Sequence, residues 1–165
     1  CENYYKQHGC NFISAMPTNL YGPGDNYDLK TSHVLPALIR KFYEGKISDA
    51  KFVEIWGTGN PKREFLHVDD MAEACVYLMK TYNKNRFINI GCGEDISIRD
   101  LALMIKKIVG FEGELKFDIS KPDGVPKKLL DMSNLFATRW KPKCTLENGI
   151  KNIIFDIQDN KLWSN

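Results

Sequence analysis

The sequence predicts an α/β domain. Short apolar runs with strand character alternate with segments whose apolar residues recur at helical spacing, and glycine or Asx punctuation falls between them. Composition agrees: 165 residues, 43% hydrophobic and 27% charged, are too apolar for a disordered chain. A chain this long can bury roughly two thirds of the surface it exposes when unfolded. One domain, or part of a larger one, is expected.

The elements follow in order. Cys1 to His8 reads as the tail of a helix, closed by Gly9 in the C′ position. Asn11 to Met16 reads as a buried strand that stops at Pro17. Pro17 to Pro36 is a long segment with few helix or strand signals, and such segments are often functional. A helix is predicted from about His33 to Glu44, with Val34, Leu35, Leu38, Ile39 and Phe42 on one face, Ser32 as N-cap and Gly45 as its stop. Phe52 to Trp56 is a strand, Gly57-Thr-Gly-Asn-Pro61 a turn, and Arg63 to Val68 a second strand. Asp69-Asp70 cap a helix expected to bury Met71, Ala72, Cys75, Leu78, Met79 and Tyr82. A strand at Phe87 to Ile90 ends at Gly91-Cys-Gly93. Ser97-Ile-Arg-Asp100 starts the most periodic helix, carrying Ile98, Leu101, Ala102, Ile105, Ile108 and Val109. Glu114 to Asp118 is a strand, Ser120 to Lys128 a polar loop, and Leu146 to Asp159 a last helix with Ile150, Ile153, Ile154 and Ile157.

The balance of 23 basic and 21 acidic residues leaves +2, which excludes a strongly cationic nucleic-acid surface. No apolar run approaches the ~20 residues of a membrane helix. The five cysteines form no Cys-x-x-Cys pair, so neither zinc nor any other metal site is expected, and the thiols read as reduced in a cytoplasmic protein. The chain opens without an initiator Met or a signal peptide, as a piece of a longer protein would.

His33, at the mouth of a helix after the long irregular segment, is the first candidate for acid–base chemistry, because imidazole titrates near pH ~6.5. A helix cap or a packed core residue is the alternative. His67 reads as structural and His8 as solvated. Cations cluster at Arg40-Lys41, Lys62-Arg63 and Lys127-Lys128; if they converge they would hold a diphosphate, and otherwise they are independent solvated charges. Trp56, ending its strand at a glycine turn, suits either stacking on a flat base or sugar or core packing. Gly57-Thr-Gly59 and Gly91-Cys-Gly93 both lack the third glycine of a dinucleotide loop and read as tight turns. None of the seven tyrosines precedes a lysine by four positions.

Several blocks are more specific. Pro17-Thr-Asn-Leu-Tyr-Gly-Pro23, Asp25-Asn-Tyr27, Ser32-His-Val-Leu-Pro-Ala-Leu38, Trp56-Gly-Thr-Gly59, Arg63-Glu-Phe-Leu-His-Val-Asp-Asp70, Ser120-Lys-Pro-Asp-Gly124 and Lys128-Leu-Leu-Asp131 together resemble the GDP-L-fucose synthases. Those enzymes are extended short-chain dehydrogenase/reductases. The resemblance implies the C-terminal, substrate-binding half of such an enzyme, with residues 1–22 closing the NADP-binding Rossmann-type domain and residues 23–165 forming the nucleotide-sugar domain with some returning Rossmann elements. The glycine-rich loop, a catalytic cysteine and the Tyr-x-x-x-Lys pair would precede Cys1.

Carried over by position, the resemblance implies that His33 is the catalytic histidine and also touches the cofactor. It implies that Pro17, Thr18, Asn19 and Leu20 lie against the nicotinamide end of NADPH. It implies that Lys41, Trp56, Arg63, Asp123 and Lys128 hold the GDP-sugar. Lys41 stands where arginine also occurs, which keeps the charge and loses bidentate geometry. Asp123 is expected to accept from the donor edge of guanine. The expected reaction is 3,5-epimerisation and 4-reduction of GDP-4-keto-6-deoxy-D-mannose by a homodimer when full length, with this stretch alone inactive. Another nucleotide-sugar epimerase or dehydratase and a non-catalytic nucleotide-sugar-binding module are the rivals.

Overall fold

The computed structural model describes residues 1–160. Strands and helices run α1 (Glu2–His8), β1 (Ala15–Pro17), β2 (Asn19–Tyr21), α2 (Val34–Ile47), β3 (Phe52–Trp56), β4 (Lys62–His67), α3 (Val68–Thr81), β5 (Ile88–Ile90), β6 (Asp95–Ser97), α4 (Ile98–Val109), β7 (Glu114–Asp118), β8 (Lys127–Lys128), α5 (Ser133–Phe136) and α6 (Leu146–Asn160). The α/β expectation holds. Pairing is mostly parallel: β1 with β5, β3 with β7, and β2 and β8 with β4, while β6 joins β4 antiparallel.

Strand β4 organises the molecule because its alternate side chains enter two different cores. Phe65 packs with the α2, α4 and α6 cluster that includes Leu35, Ile39, Phe42, Leu101, Ile105 and Ile150. Leu66 packs with the cluster around Leu78, Ile88, Ile90, Leu135 and Trp140. Each fully buried Leu, Ile or Phe contributes about 1.5–3 kcal/mol. A strand pinned from both faces cannot slip register, since a one-residue shift would exchange the two sets.

Helix α4 forms as predicted. Ser97 Oγ accepts from Asp100 N at 3.0 Å and donates to Asp100 Oδ2 at 2.6 Å, and Gly110 closes the helix in the left-handed conformation. Ile98, Leu101, Ala102, Ile105 and Val109 are buried.

Several expectations are corrected. The first strand is Ala15–Pro17, not Asn11 to Met16, and it includes the proline. Among the described residues β1 pairs with β5 alone, so the missing N–H of Pro17 lies where no ladder bond is lost. Asn19–Tyr21 is a strand inside the supposed irregular segment, held by its register against Phe65 to His67 rather than by its own pattern. The N-cap of α2 is His33, not Ser32, and the helix runs through the buried Gly45 to Ile47. α3 is capped by His67, whose Nδ1 accepts from Asp69 N at 3.3 Å; Asp70 is buried inside the helix. Ala72 is exposed, and so is Met79, at 76%. Lys127–Lys128 is a strand at the end of the polar loop, and β6 and α5 had no sequence signal strong enough to single them out.

Candidate functional site

The long segment before α2 is ordered by its own side chains. Asp28 Oδ1 accepts from Lys30 N, Thr31 N and Thr31 Oγ1, all at 3.0 Å. Asn26 donates to Thr31 Oγ1 at 2.9 Å, and Ser32 N bonds Asp28 O at 2.8 Å. These Asx-type turns replace the ladder the segment lacks. They hold the Asp28 carboxyl below its usual range, the Thr31 hydroxyl first. Tyr27 is anchored in the core, and its carbonyl accepts from Arg40 Nη1 at 3.1 Å.

The segment delivers His33 to a cleft of about 640 Å³ lined by Thr18, Asn19, Leu20, Asp25, His33, the first turn of α2, Arg63, Phe65 and Lys128. His33 makes no side-chain capping bond, so its imidazole is not committed to the helix. With no acidic residue in its first turn, α2 turns the positive end of its dipole toward this space. Thr18 Oγ1 and Asn19 Nδ2 both donate to Glu64 O, at 3.2 and 2.8 Å, which leaves the half-exposed Leu20 facing the cleft. Pro17 lies outside the lining, exposed at the end of β1.

Two of the three cationic clusters converge. At positions 62–63, β8 and β6 pair with opposite edges of β4, and the register sets Arg63 against Lys128 and Lys62 against Lys127. Registered partners share a face, so Arg63 and Lys128 both reach the cleft while Lys62 and Lys127 turn away. Arg63 Nη1 donates to Lys62 O and Val125 O, both at 2.7 Å, which braces the guanidinium. The third cluster divides: Arg40 pairs with Glu44 at 2.7 Å, and Lys41 Nζ donates to Glu54 O at 2.9 Å. Partial burial pushes the Lys41 ammonium pKa down, opposed by Glu54.

Lys41 and Trp56 line an adjoining hollow of about 230 Å³, with Val34 common to both spaces. Trp56 is 60% exposed, with Lys41 Nζ 5.4 Å and Lys121 Nζ 5.6 Å from its ring centroid. Core packing is therefore not its role here. Asp123 lies beyond the cleft lining, clasped to the glycine turn: Oδ1 accepts from Thr58 N at 2.9 Å and Oδ2 from Thr58 Oγ1 at 2.6 Å. These bonds, the hydroxyl's first, hold its carboxyl below the usual range. Gly57 has φ +79°, and a Cβ there would sit 2.3 Å from Asp123 Oδ1, so only glycine permits the clasp.

Sequence reasoning missed Glu64. It is wholly buried, accepts from Gly93 N at 2.7 Å and Leu130 N at 3.1 Å, and braces Thr18 and Asn19 through its carbonyl. No local signal marks it: within Lys62–His67 it stands as a charge next to Arg63, and its partners lie 29 and 66 residues further along the chain. Asp25 and Phe65, which also line the cleft, carried no separate signal. His67 is structural as expected, capping α3 and meeting Tyr21 edge-on at 5.4 Å.

The α/β fold, with parallel strands ending at the cleft that holds His33, Arg63 and Lys128, is of the short-chain dehydrogenase/reductase type. The description "NAD dependent epimerase/dehydratase family" matches residues 1–91, and the chain belongs to that family. It is 53% identical over 150 residues to GDP-L-fucose synthase 1 of Arabidopsis thaliana, which covers 91% of this chain and 46% of that protein. Among solved structures, it matches a GDP-6-OMe-4-keto-L-xylo-heptose reductase from C. jejuni with TM-score 0.87 and 38% identity, over 98% of this chain and 57% of the other. It matches a GDP-L-fucose synthetase from Naegleria fowleri bound to NADP with TM-score 0.84 and 32% identity, over 96% and 51% of the two chains. The chain thus spans about half the length of the relatives it matches.

Proposed function

We propose that this chain is the substrate-binding side of a GDP-L-fucose synthase, an enzyme that epimerises GDP-4-keto-6-deoxy-D-mannose at C3 and C5 and reduces C4 with NADPH. The observation that carries the reading is one cleft holding His33, the Thr18–Leu20 stretch and the Arg63–Lys128 pair. The cofactor's nicotinamide suits the apolar surface of Pro17 and Leu20 beside the neutral, already bonded Thr18 and Asn19; when bound it supplies the hydride for C4.

The chain's own groups do the rest. Arg63 and Lys128 take the diphosphate, Arg63 with parallel hydrogen bonds and Lys128 as a point charge. Trp56 and Lys41 extend the grip in the neighbouring hollow, and the remaining lone pairs of Asp123 accept from guanine. With the diphosphate fixed, the keto sugar lies at His33. The protons at C3 and C5 are acidic because removal gives an enolate whose charge rests on the C4 oxygen, and the His33 imidazole is the group placed to give or take them. The positive end of α2 favours that enolate. A group on the opposite sugar face must complete each inversion, and this sequence contains neither a Tyr-x-x-x-Lys pair nor a glycine-rich phosphate loop. The 165-residue chain alone therefore oxidises no NADPH.

Thermal unfolding with nucleotides tests the reading. At 100 Kd, GDP is expected to stabilise the chain by ~2.7 kcal/mol, a rise of about 5–10 °C in Tm. UDP and dTDP are expected to have little effect. Equal protection by UDP would instead favour another nucleotide-sugar epimerase. A form that also carries the nucleotide-binding half separates enzyme from binding module: His33→Gln should slow epimerisation about 10²–10⁴-fold, and an unchanged rate would make His33 structural.

A further inference from the structure

We propose that Glu64 and Asp95, two acids that do not face the substrate cleft, are positioning residues that set the spacing of Arg63 and Lys128. The inference rests on the proposal that those two cations hold the diphosphate.

The argument starts from the weakness of β8. It is two residues long and lies at the end of an exposed polar loop; its ladder with β4 is the pairs Lys62–Lys127 and Arg63–Lys128, preceded by bonds from Lys62 N to Pro126 O and from Arg63 Nη1 to Val125 O. Two residues of ladder cannot by themselves hold a loop against its conformational entropy. Yet Lys128 must stay beside Arg63 for both to reach one diphosphate, and cationic neighbours repel each other.

The compensation lies on the other face of β4. Asp95 stands opposite Glu64 in the antiparallel register. Its side chain is only 11% exposed, with Lys127 Nζ 3.2 Å from Oδ2 and Lys62 Nζ 3.9 Å from Oδ1. One carboxylate thereby forms ion pairs with two lysines from neighbouring strands, while its Oδ2 accepts no hydrogen bond, and a partly shielded pair is screened less than a surface one. This draws in β8 one residue before Lys128. Glu64 holds the chain two residues after it, through Oε2 and Leu130 N, while Oε1 takes Gly93 N. A Cβ at Gly91 would lie 2.2 Å from Glu64 Oε1, so the carboxylate has no room to move. Lys128 is thus tied on both sides, and Arg63 lies between the two β4 residues, Lys62 and Glu64, that take part in the ties. Placing two acids directly opposite each other costs stability, which a purely structural sheet could avoid with neutral residues.

The test uses the 165-residue chain with GDP and GMP as probes, read by calorimetric Kd and by amide exchange. Asp95→Asn and Lys127→Met are each expected to weaken GDP about 5–20-fold and GMP less than 3-fold, because the cation pair is spaced for two phosphates. Asp95→Glu should recover most of the loss. Glu64→Gln keeps the shape but turns an NH₂ against a backbone N–H, and should speed exchange at Leu130 and Gly93 together with a similar GDP loss. Arg63→Ala and Lys128→Ala serve as references. If they abolish GDP binding while Asp95→Asn and Glu64→Gln leave Kd within 2-fold of the parent, the positioning role is wrong and the diphosphate site stands. If Arg63→Ala and Lys128→Ala leave GDP binding unchanged, or the parent binds no GDP, the diphosphate reading falls and this one with it.

Discussion

One added methyl at Gly91 tests the buried carboxylate behind the cleft more sharply than removing the carboxylate itself. The Cβ of Gly91→Ala would stand 2.2 Å from Glu64 Oε1, 2.8 Å from Cδ and 3.2 Å from Oε2, where real Cβ atoms stay beyond 3.0 Å. The carboxylate must retreat by about 1 Å, which takes its 2.7 Å bond from Gly93 N out of hydrogen-bond range. Overpacking a filled interior costs about 1–3 kcal/mol. Leaving a buried acceptor short of its donor costs about another 1–3 kcal/mol. Loss of glycine's freedom in the unfolded chain returns about 0.4–1 kcal/mol. The net expectation is a loss of about 2–5 kcal/mol, or about 4–20 °C in Tm for a domain of this size. Urea unfolding followed by circular dichroism measures it, with an unchanged m-value showing that the effect is on stability. Gly9→Ala is the control: it also adds a methyl, but nothing lies within 4 Å and only the left-handed backbone, φ +68°, opposes it, a cost of about 1–2 kcal/mol. A Gly91→Ala protein that melts within 1 °C of the parent would refute the claim that Glu64 is locked, and with it the packing argument for its role.

Other expectations follow from buried polar groups. Asp70 is 4% exposed and accepts from Lys143 N at 3.1 Å and Cys144 N at 2.9 Å; Asp70→Ala leaves both donors unpaired and should cost about 2–4 kcal/mol in urea unfolding, with loss of protection at those two amides. Burial pushes the Tyr27 phenol from 10.0 up to about 12, with Asp25 and Asp156 adding to the shift. The folded state therefore holds this proton more tightly than the unfolded one, so the contribution to stability is complete below pH 10 and is lost as pH rises toward 12. The urea midpoint of the parent should fall through that window, and that of Tyr27→Phe should fall less; parallel curves would remove Tyr27 from the account.

Much of the architecture was legible because it rests on local periodicity. α4 carries its apolar stripe and its Ser97 cap within one stretch of chain, and both appear where the pattern puts them. α6, β3 and β7 follow the same logic. β2 escaped because three residues have no measurable period; Asn19, Leu20 and Tyr21 are a strand only because Phe65, Leu66 and His67 lie beside them. The cap of α3 moved for a similar reason. Asp69 and Asp70 are strong cap formers locally, but Asp70 is drawn inward by the amides of Lys143 and Cys144, 73 and 74 residues away, and His67 takes the cap.

The candidate site divides along the same line. His33, Trp56 and the cationic dipeptides were visible as residue types in suggestive places, since each has its chemistry in its own side chain. Which cations meet was not visible. Lys127 and Lys128 are adjacent in sequence, yet a strand sends them to opposite faces, Lys128 toward Arg63 and Lys127 toward Asp95. Glu64 reads locally as an ordinary charge in a strand, and only the fold brings Gly91, Gly93 and Leu130 around it. Spacing along the chain sets helical faces and turns, because those contacts lie within a few residues of each other. The cleft is assembled from residues between 18 and 128, and its geometry depends on strand register and two cores packed on opposite faces of β4, which long-range burial alone fixes.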